Sequence, residues 1–447
     1  MKALDLTDGP PLGRMLRFCV PVVAGNVFQM LYGAVDAAAV GRLAGLDRLA
    51  AVGATGALSF LVLGFLFGLT GGFSVVVSQR RGARDEAGVR RAAAHGAMLS
   101  AALVAPVTAL AVPLTRPLLR LMGTPEDILG HATTYLAIVF AGTAFTALYN
   151  LVSGVLRAVG DSRTPLWFLV GSSLLNVALD VLFIGPLRMD VAGAALATVA
   201  ATAASGVLCV AYAFRRHPEL RLRRADFRPD ARLAVRMLRL GLPMALQTSV
   251  TAVGMVAVQA AINGFGSACV AGWTAASKVE CLVIMPSFAI ATTMSTFAGQ
   301  NAGAGNWRRV RDGVRCGFGI VLAWTAVATT FLALLGTASM RMFVAGEPEA
   351  VAATLAAGRT YLLFVAAFFL PGNALFVLRG ALEGIGRTVY TLAGGIAELA
   401  ARLLVVAFLP SLLGWAGVCA APAAAWTAAS TLLAFAWLRE RRRFPPA

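Results

Sequence analysis

Long apolar runs alternate with short polar breaks along almost the whole chain. Splitting the 447 residues at charge, Pro and Gly clusters leaves twelve mostly apolar stretches, each about 20 residues or more and long enough to cross a hydrocarbon core of roughly 30 Å. They predict helices at 15–40, 49–79, 90–115, 130–156, 165–186 and 191–214, then at 237–262, 269–299, 312–340, 351–378, 388–410 and 413–438. The pattern is that of an all-α integral membrane protein with twelve transmembrane helices.

Composition agrees. The chain is 59% hydrophobic and 13% charged, against about a quarter charged in soluble domains. A surface this apolar faces lipid. A formal net charge of +17 raises nucleic acid as a partner, but the charges fall between apolar spans and form no basic domain, so nucleic acid is excluded. Of the 38 basic residues, 29 lie on one face of the expected topology and six on the other. Nine arginines crowd the loop RRHPELRLRRADFRPDARLAVRMLR alone. Positive loops stay inside, so both termini are expected in the cytoplasm and the protein in the cytoplasmic membrane, with anionic lipid heads as secondary contacts. The first apolar segment is long enough to remain as a span, so no cleaved leader is expected. Six scattered cysteines without a CxxC read as buried hydrophobes, and three distant histidines offer no metal site.

The two halves repeat. LRFCVP (16–21) returns as LRLGLP (238–243), SQRRGARDEAGVRR (78–91) resembles GQNAGAGNWRRVRD (299–312), and LRAVGDSRTP (156–165) resembles LRGALEGIGRT (378–388). This divides the chain into a lobe at 1–216, a cytoplasmic linker at 217–235 and a lobe at 236–447. Six spans per half is an even number, so the repeats are parallel, related by a pseudo-two-fold axis along the membrane normal. Repeats of this kind are frequent in secondary transporters. The chain's only lysines, Lys2 and Lys278, do not follow glycine, so no phosphate-cradling GxxxxGK[ST] loop is present. An ion gradient or a separate ATPase must then supply the energy.

Against this background a carboxylate such as Asp36 is costly, about 2.5–3.5 kcal/mol at a bilayer centre. Asp36 stands six residues before Arg42, the outer end of the first span, which puts it roughly 9 Å deep. Asp180 on the fifth span and Thr198 on the sixth come out at a similar depth, roughly 12 Å, and Asn176 is one turn from Asp180. Asp36, Asn176, Asp180 and Thr198 therefore form one outer-half layer of oxygens, suited to a proton or a sodium ion. Gln29 and Tyr32 share the helix face of Asp36, and Asn150 and Ser153 put polar groups on the fourth span; these four are candidates for a substrate cavity or for interhelical hydrogen bonds. In the second half Lys278, Glu280, Arg359, Glu398 and Arg402 also lie within spans. Both signs are present there, and Glu398 and Arg402 are i,i+4, so these charges read as structural. The seventh span carries no acid.

The motifs LYGAVDAAAVGRL, LAAVG, VSQRRGA, LRAVGDSRTP, LLNVALDVLF, VAGAALATV and GQNAGAGN together resemble the multidrug and toxic compound extrusion (MATE) family, over essentially the whole chain. The resemblance is greatest to its DNA-damage-inducible branch. It implies two six-helix lobes and cation-coupled export of organic cations, with Asp36, Asn176, Asp180 and Thr198 in the coupling layer and Pro21 as a bending point of the first helix. The acid-free seventh span departs from the other branch and puts a cation site in the second lobe in doubt. The expectation is thus a monomeric antiporter, not an enzyme, without a cofactor, driven by protons or sodium ions. A lipid-linked oligosaccharide flippase of the wider superfamily is the alternative; its cavity should be more basic and its spans often more numerous.

Overall fold

The computed structural model describes residues 4–445, the side chain of Leu46 excepted. Lys2 lies outside them. The described residues are all-helical, without a strand. In chain order the helices are α1 (Pro11–Leu43), α2 (Leu46–Ala54), α3 (Gly56–Gly82), α4 (Glu86–Leu121), α5 (Glu126–Ala141), α6 (Thr143–Ala158), α7 (Arg163–Ile184) and α8 (Asp190–Arg216). After two short 3-10 turns follow α9 (Ala231–Asn263), α10 (Ser267–Gly303), α11 (Trp307–Met340), α12 (Pro348–Ala367), α13 (Phe369–Gly384), α14 (Thr388–Leu413) and α15 (Trp415–Arg441). Among them eleven helices are long and apolar enough to cross a membrane, and α5 with α6 makes a twelfth span bent by 48°.

That bend is a departure from the single helix expected over 130–156, and its cause is local. A Cβ on Gly142 would stand 2.5 Å from Val199 of α8, so only glycine fits. The Gly142 N–H bonds back to both Ile138 and Val139 carbonyls, at 3.0 and 3.1 Å. Thr143 then turns its hydroxyl onto the Phe140 carbonyl (2.8 Å) and Thr108 of α4 (2.6 Å). Glycine with a hydroxyl inserted into the helical ladder is a recognised source of kinks. By contrast α1 continues through Pro21 as one helix.

The described residues form two compact units, one of residues 4–6 and 17–249, the other of 7–16 and 250–445. The first unit takes in the stretch 217–235 and the N-terminal part of α9. Three linker acids face its helix ends. Asp226 meets Arg90 at 3.5 Å, Glu219 meets Arg81 at 3.6 Å, and Asp230 caps α9 at the Leu233 N–H. The unit's core is built by valines and leucines of α3 with Val155 and Leu156 of α6 and Met237 and Leu240 of α9. A smaller apolar cluster of Val40, Tyr135, Val139, Ile184, Val191 and Ala194 joins α1, α5, α7 and α8. The repeat is visible at the starts of α4 and α11. Asp85 accepts from the Gly88 N–H and Asn306 from the Arg309 N–H, each as a side-chain N-cap.

Candidate functional site

The buried residues in the second half of α7 are Ser173, Asn176, Asp180 and Ile184, the three- and four-residue spacing of one helix face. Asn176 and Asp180 are fully buried on that face. Tyr32 and Asp36, also one turn apart, come to it from α1, Thr198 from α8 and Tyr135 from α5. With its amide oriented to satisfy both ends, Asn176 donates to Asp180 Oδ2 (2.9 Å) and to the Tyr32 hydroxyl (2.8 Å). Its oxygen accepts from the Thr198 N–H at 3.0 Å. The Thr198 hydroxyl donates to the Ala194 carbonyl at 3.0 Å and lies within hydrogen-bonding reach of both Tyr32 and Tyr135. The carboxyl groups of Asp36 and Asp180 are within hydrogen-bonding reach of one another. Asp180 Oδ1 is buried without any donor.

The structure therefore brings together all four residues expected in the layer, adds Tyr32, and recruits Tyr135, which sequence reasoning missed. A signal for Tyr135 existed, since it stands five residues into the span expected at 130–156, the same end at which the charged loops set Asp36. Among the described residues no Lys or Arg forms an ion pair with Asp36 or Asp180. Two carboxyl groups this close repel unless a proton or a cation sits with them. Of the other cavity candidates, Gln29 is exposed on α1, Asn150 is half-buried on α6, and Ser153 is buried beside Tyr149. None of the three shares a hydrogen bond with the cluster.

Charges in the second unit are arranged differently. Glu398 of α14 accepts from Arg379 of α13 and, at 3.3 Å, from Arg402 one turn along. Arg379 belongs to α13, which carries it into this network. The Tyr361 hydroxyl of α12 donates to Glu280 of α10. Lys278 and Arg359 are exposed, Lys278 lining a cavity of about 470 Å³ with Thr274, Phe343 and Thr354. Among the described residues no three His, Cys, Asp or Glu side chains gather as a metal site.

Twelve spans, an internal repeat and an uncompensated pair of carboxyl groups inside one half define a polytopic helical membrane protein of the transporter class. The chain belongs to the MatE family, whose model matches it twice, at residues 21–182 and 243–409. The two matches begin 222 residues apart, the same interval as LRFCVP and LRLGLP. It is 32% identical over 392 residues to a "Probable multidrug resistance protein YpnP" of Bacillus subtilis (strain 168), covering 88% of this chain and 86% of that one. A crystal structure of MATE in the bent conformation superposes with a TM-score of 0.89 at 26% identity, over 99% of this chain and 97% of that one. An outward-facing MATE family transporter of the MOP superfamily reaches a TM-score of 0.92 at 24% identity, over 100% and 99%, and shows the fold. The chain is thus a multi-pass membrane transporter and not an enzyme.

Proposed function

We propose that the protein exports organic cations and drugs across the cytoplasmic membrane by alternating access, driven by protons or sodium ions entering from outside. The name of the Bacillus subtilis relative supports multidrug export. One observation carries the coupling: Asp36 and Asp180 stand within hydrogen-bonding reach with no basic partner, and Asp180 Oδ1 lacks a donor. Such a pair takes up a cation when exposed to the outside, and the bound charge changes which state is favoured. Asn176, Thr198, Tyr32 and Tyr135 hold the two carboxyl groups in register. A cationic substrate is drawn by the same carboxylates, so ion and substrate compete. Both termini lie on the cytoplasmic side, the protein works as a monomer, Pro21 supplies a weak point in α1, and Gln29, Asn150 and Ser153 line the substrate path. An acidic cluster does not suit the pyrophosphate of a lipid-linked sugar, which weighs against the flippase alternative.

The test is efflux of a fluorescent organic cation from proteoliposomes under separately imposed pH and sodium gradients. One gradient should drive it in the wild type and neither in Asp36→Asn, with substrate binding retained. Undiminished gradient-driven efflux by Asp36→Asn would overturn the assignment.

A further inference from the structure

The repeat allows the carboxylate cluster to be compared with its counterpart. The interval of 222 between the first helices of the two halves sets Tyr32 and Asp36 of α1 against Gly254 and Val258 of α9. Val258 is buried in an apolar cluster with Ile262, Val418 and Ala421. The first-helix acid is thus replaced by packing. On the fifth helix of each half a buried polar pair stands one turn apart, Asn176 and Asp180 on α7, Glu398 and Arg402 on α14. In the first unit Tyr32 reaches this pair. In the second, a Cβ on Gly254 would stand 3.2 Å from the Arg402 side chain, so the missing side chain makes room for the guanidinium.

Arg402 sits in a chain of alternating sign. Glu383 stands one turn from Arg379, Arg379 and Arg402 both bond Glu398, and the charge of Arg402 also acts on Glu280. Glu280 accepts from Tyr361, which stacks on Trp273 at 3.9 Å between ring centroids. The remaining charges on α10 and α12 here, Lys278 and Arg359, are exposed. Without Arg402, Glu280 has no cationic neighbour among the described residues, and Glu398 keeps one of two.

We propose that Arg402 is an internal counter-cation: its guanidinium does for the acids of the second half what a bound proton or sodium ion does for Asp36 and Asp180, and removing it opens a second cation site at Glu280. The proposal rests on the cation-coupled reading of the first site. It deepens that reading by confining coupling to one half of a duplicated protein.

Tryptophan fluorescence of the full-length protein in nanodiscs tests it, titrated with sodium chloride at constant pH and, separately, with acid in the absence of sodium. Wild type should show one cation-dependent phase, lost in Asp36→Asn. Adding Arg402→Met to Asp36→Asn should create a new phase in one of the titrations, and adding Glu280→Gln as well should abolish it. Flat titrations from folded Asp36→Asn/Arg402→Met protein would overturn the proposal. Should that variant not fold, Glu280→Gln alone still decides, because it must keep the wild-type phase; its loss would mean Glu280 already binds the cation. If wild type lacks a phase that depends on Asp36, the coupling reading fails, while the Arg402→Met comparison remains readable.

Discussion

The amide of Asn176 lies 2.9 Å from Asp180 Oδ2, one helical turn away and sealed from solvent, and the same nitrogen reaches the Tyr32 hydroxyl at 2.8 Å. One neutral side chain thus links a carboxyl group of α7 to the helix that carries Asp36. Replacing Asn176 with Ala leaves both partners short of a donor, about 1.5–3 kcal/mol for a hydrogen bond to a charged group. Affinity for the coupling cation should change about 10- to 100-fold, measured as the gradient strength needed for half-maximal efflux. An unchanged dependence would remove Asn176 from the site.

Tyr135 gives a milder case. Its hydroxyl is within reach of Thr198, while its ring packs with Val139, Ile184 and Val191. Tyr135→Phe keeps the packing and loses one neutral hydrogen bond, worth about 0.5–1.5 kcal/mol. Coupling should weaken a few-fold with the fold intact, and circular dichroism melts alongside efflux assays separate the two effects.

Outside the spans, His217 is clasped by Asp161 at 3.2 Å and Glu219 at 3.6 Å. These hydrogen bonds raise the imidazole from 6.5 to about 9, against the opposing effect of its burial. Burial pushes Asp161 up, but bonds from His217 and Thr164 more than reverse it. A raised folded-state value gives stability that is complete below pH 6.5 and lost as pH climbs through about 9. The depressed Asp161 and Glu219 contribute above their unfolded values, near 4, and that part is lost in acid. Thermal stability should be greatest between about pH 5 and 6.5, and His217→Gln should flatten the alkaline limb. A wild-type melt equally stable at pH 6 and pH 10 would contradict the clasp.

Glu440 closes the end of α15. It is buried and bonded by Arg387 at 2.8 Å, Arg443 at 3.1 Å and the Tyr390 hydroxyl at 3.3 Å. Glu440→Gln should destabilise the second unit by about 1–3 kcal/mol and leave the ion dependence of efflux untouched, which a melt and a gradient assay would read independently.

Helix α3 crosses α9 at glycine. A Cβ on Gly72 would lie 2.3 Å from the Gly241 Cα, backbone that cannot step aside; small residues permit such close crossings in membranes. Gly72→Ala should lower the yield of folded protein severely. Gly171→Ala on α7, where nothing lies within 4 Å, should be neutral or stabilise by up to about 1 kcal/mol. Equal yields would mean the crossing tolerates a methyl group.

Much of this was open to reading along the chain, because lipid imposes a one-dimensional rule. Each span must be apolar over a fixed length, so twelve crossings and the depth of Asp36, Asp180 and Thr198 follow from counting between charged loops. Periodicity likewise put Asn176 and Asp180 on one face of α7. Depth, however, does not say which helices are neighbours. That Tyr135 joins the cluster while Gln29, Asn150 and Ser153 do not was decided by how α1, α5, α7 and α8 pack. The close approach of Val199 to Gly142, where the span bends, was likewise a matter of packing. In the second half the i,i+4 spacing marked the Glu398–Arg402 pair, while Lys278 and Arg359, expected inside their spans, are exposed. Only packing made Arg379 a partner of Glu398 and set Arg402 against Gly254, since these contacts join helices far apart in the chain.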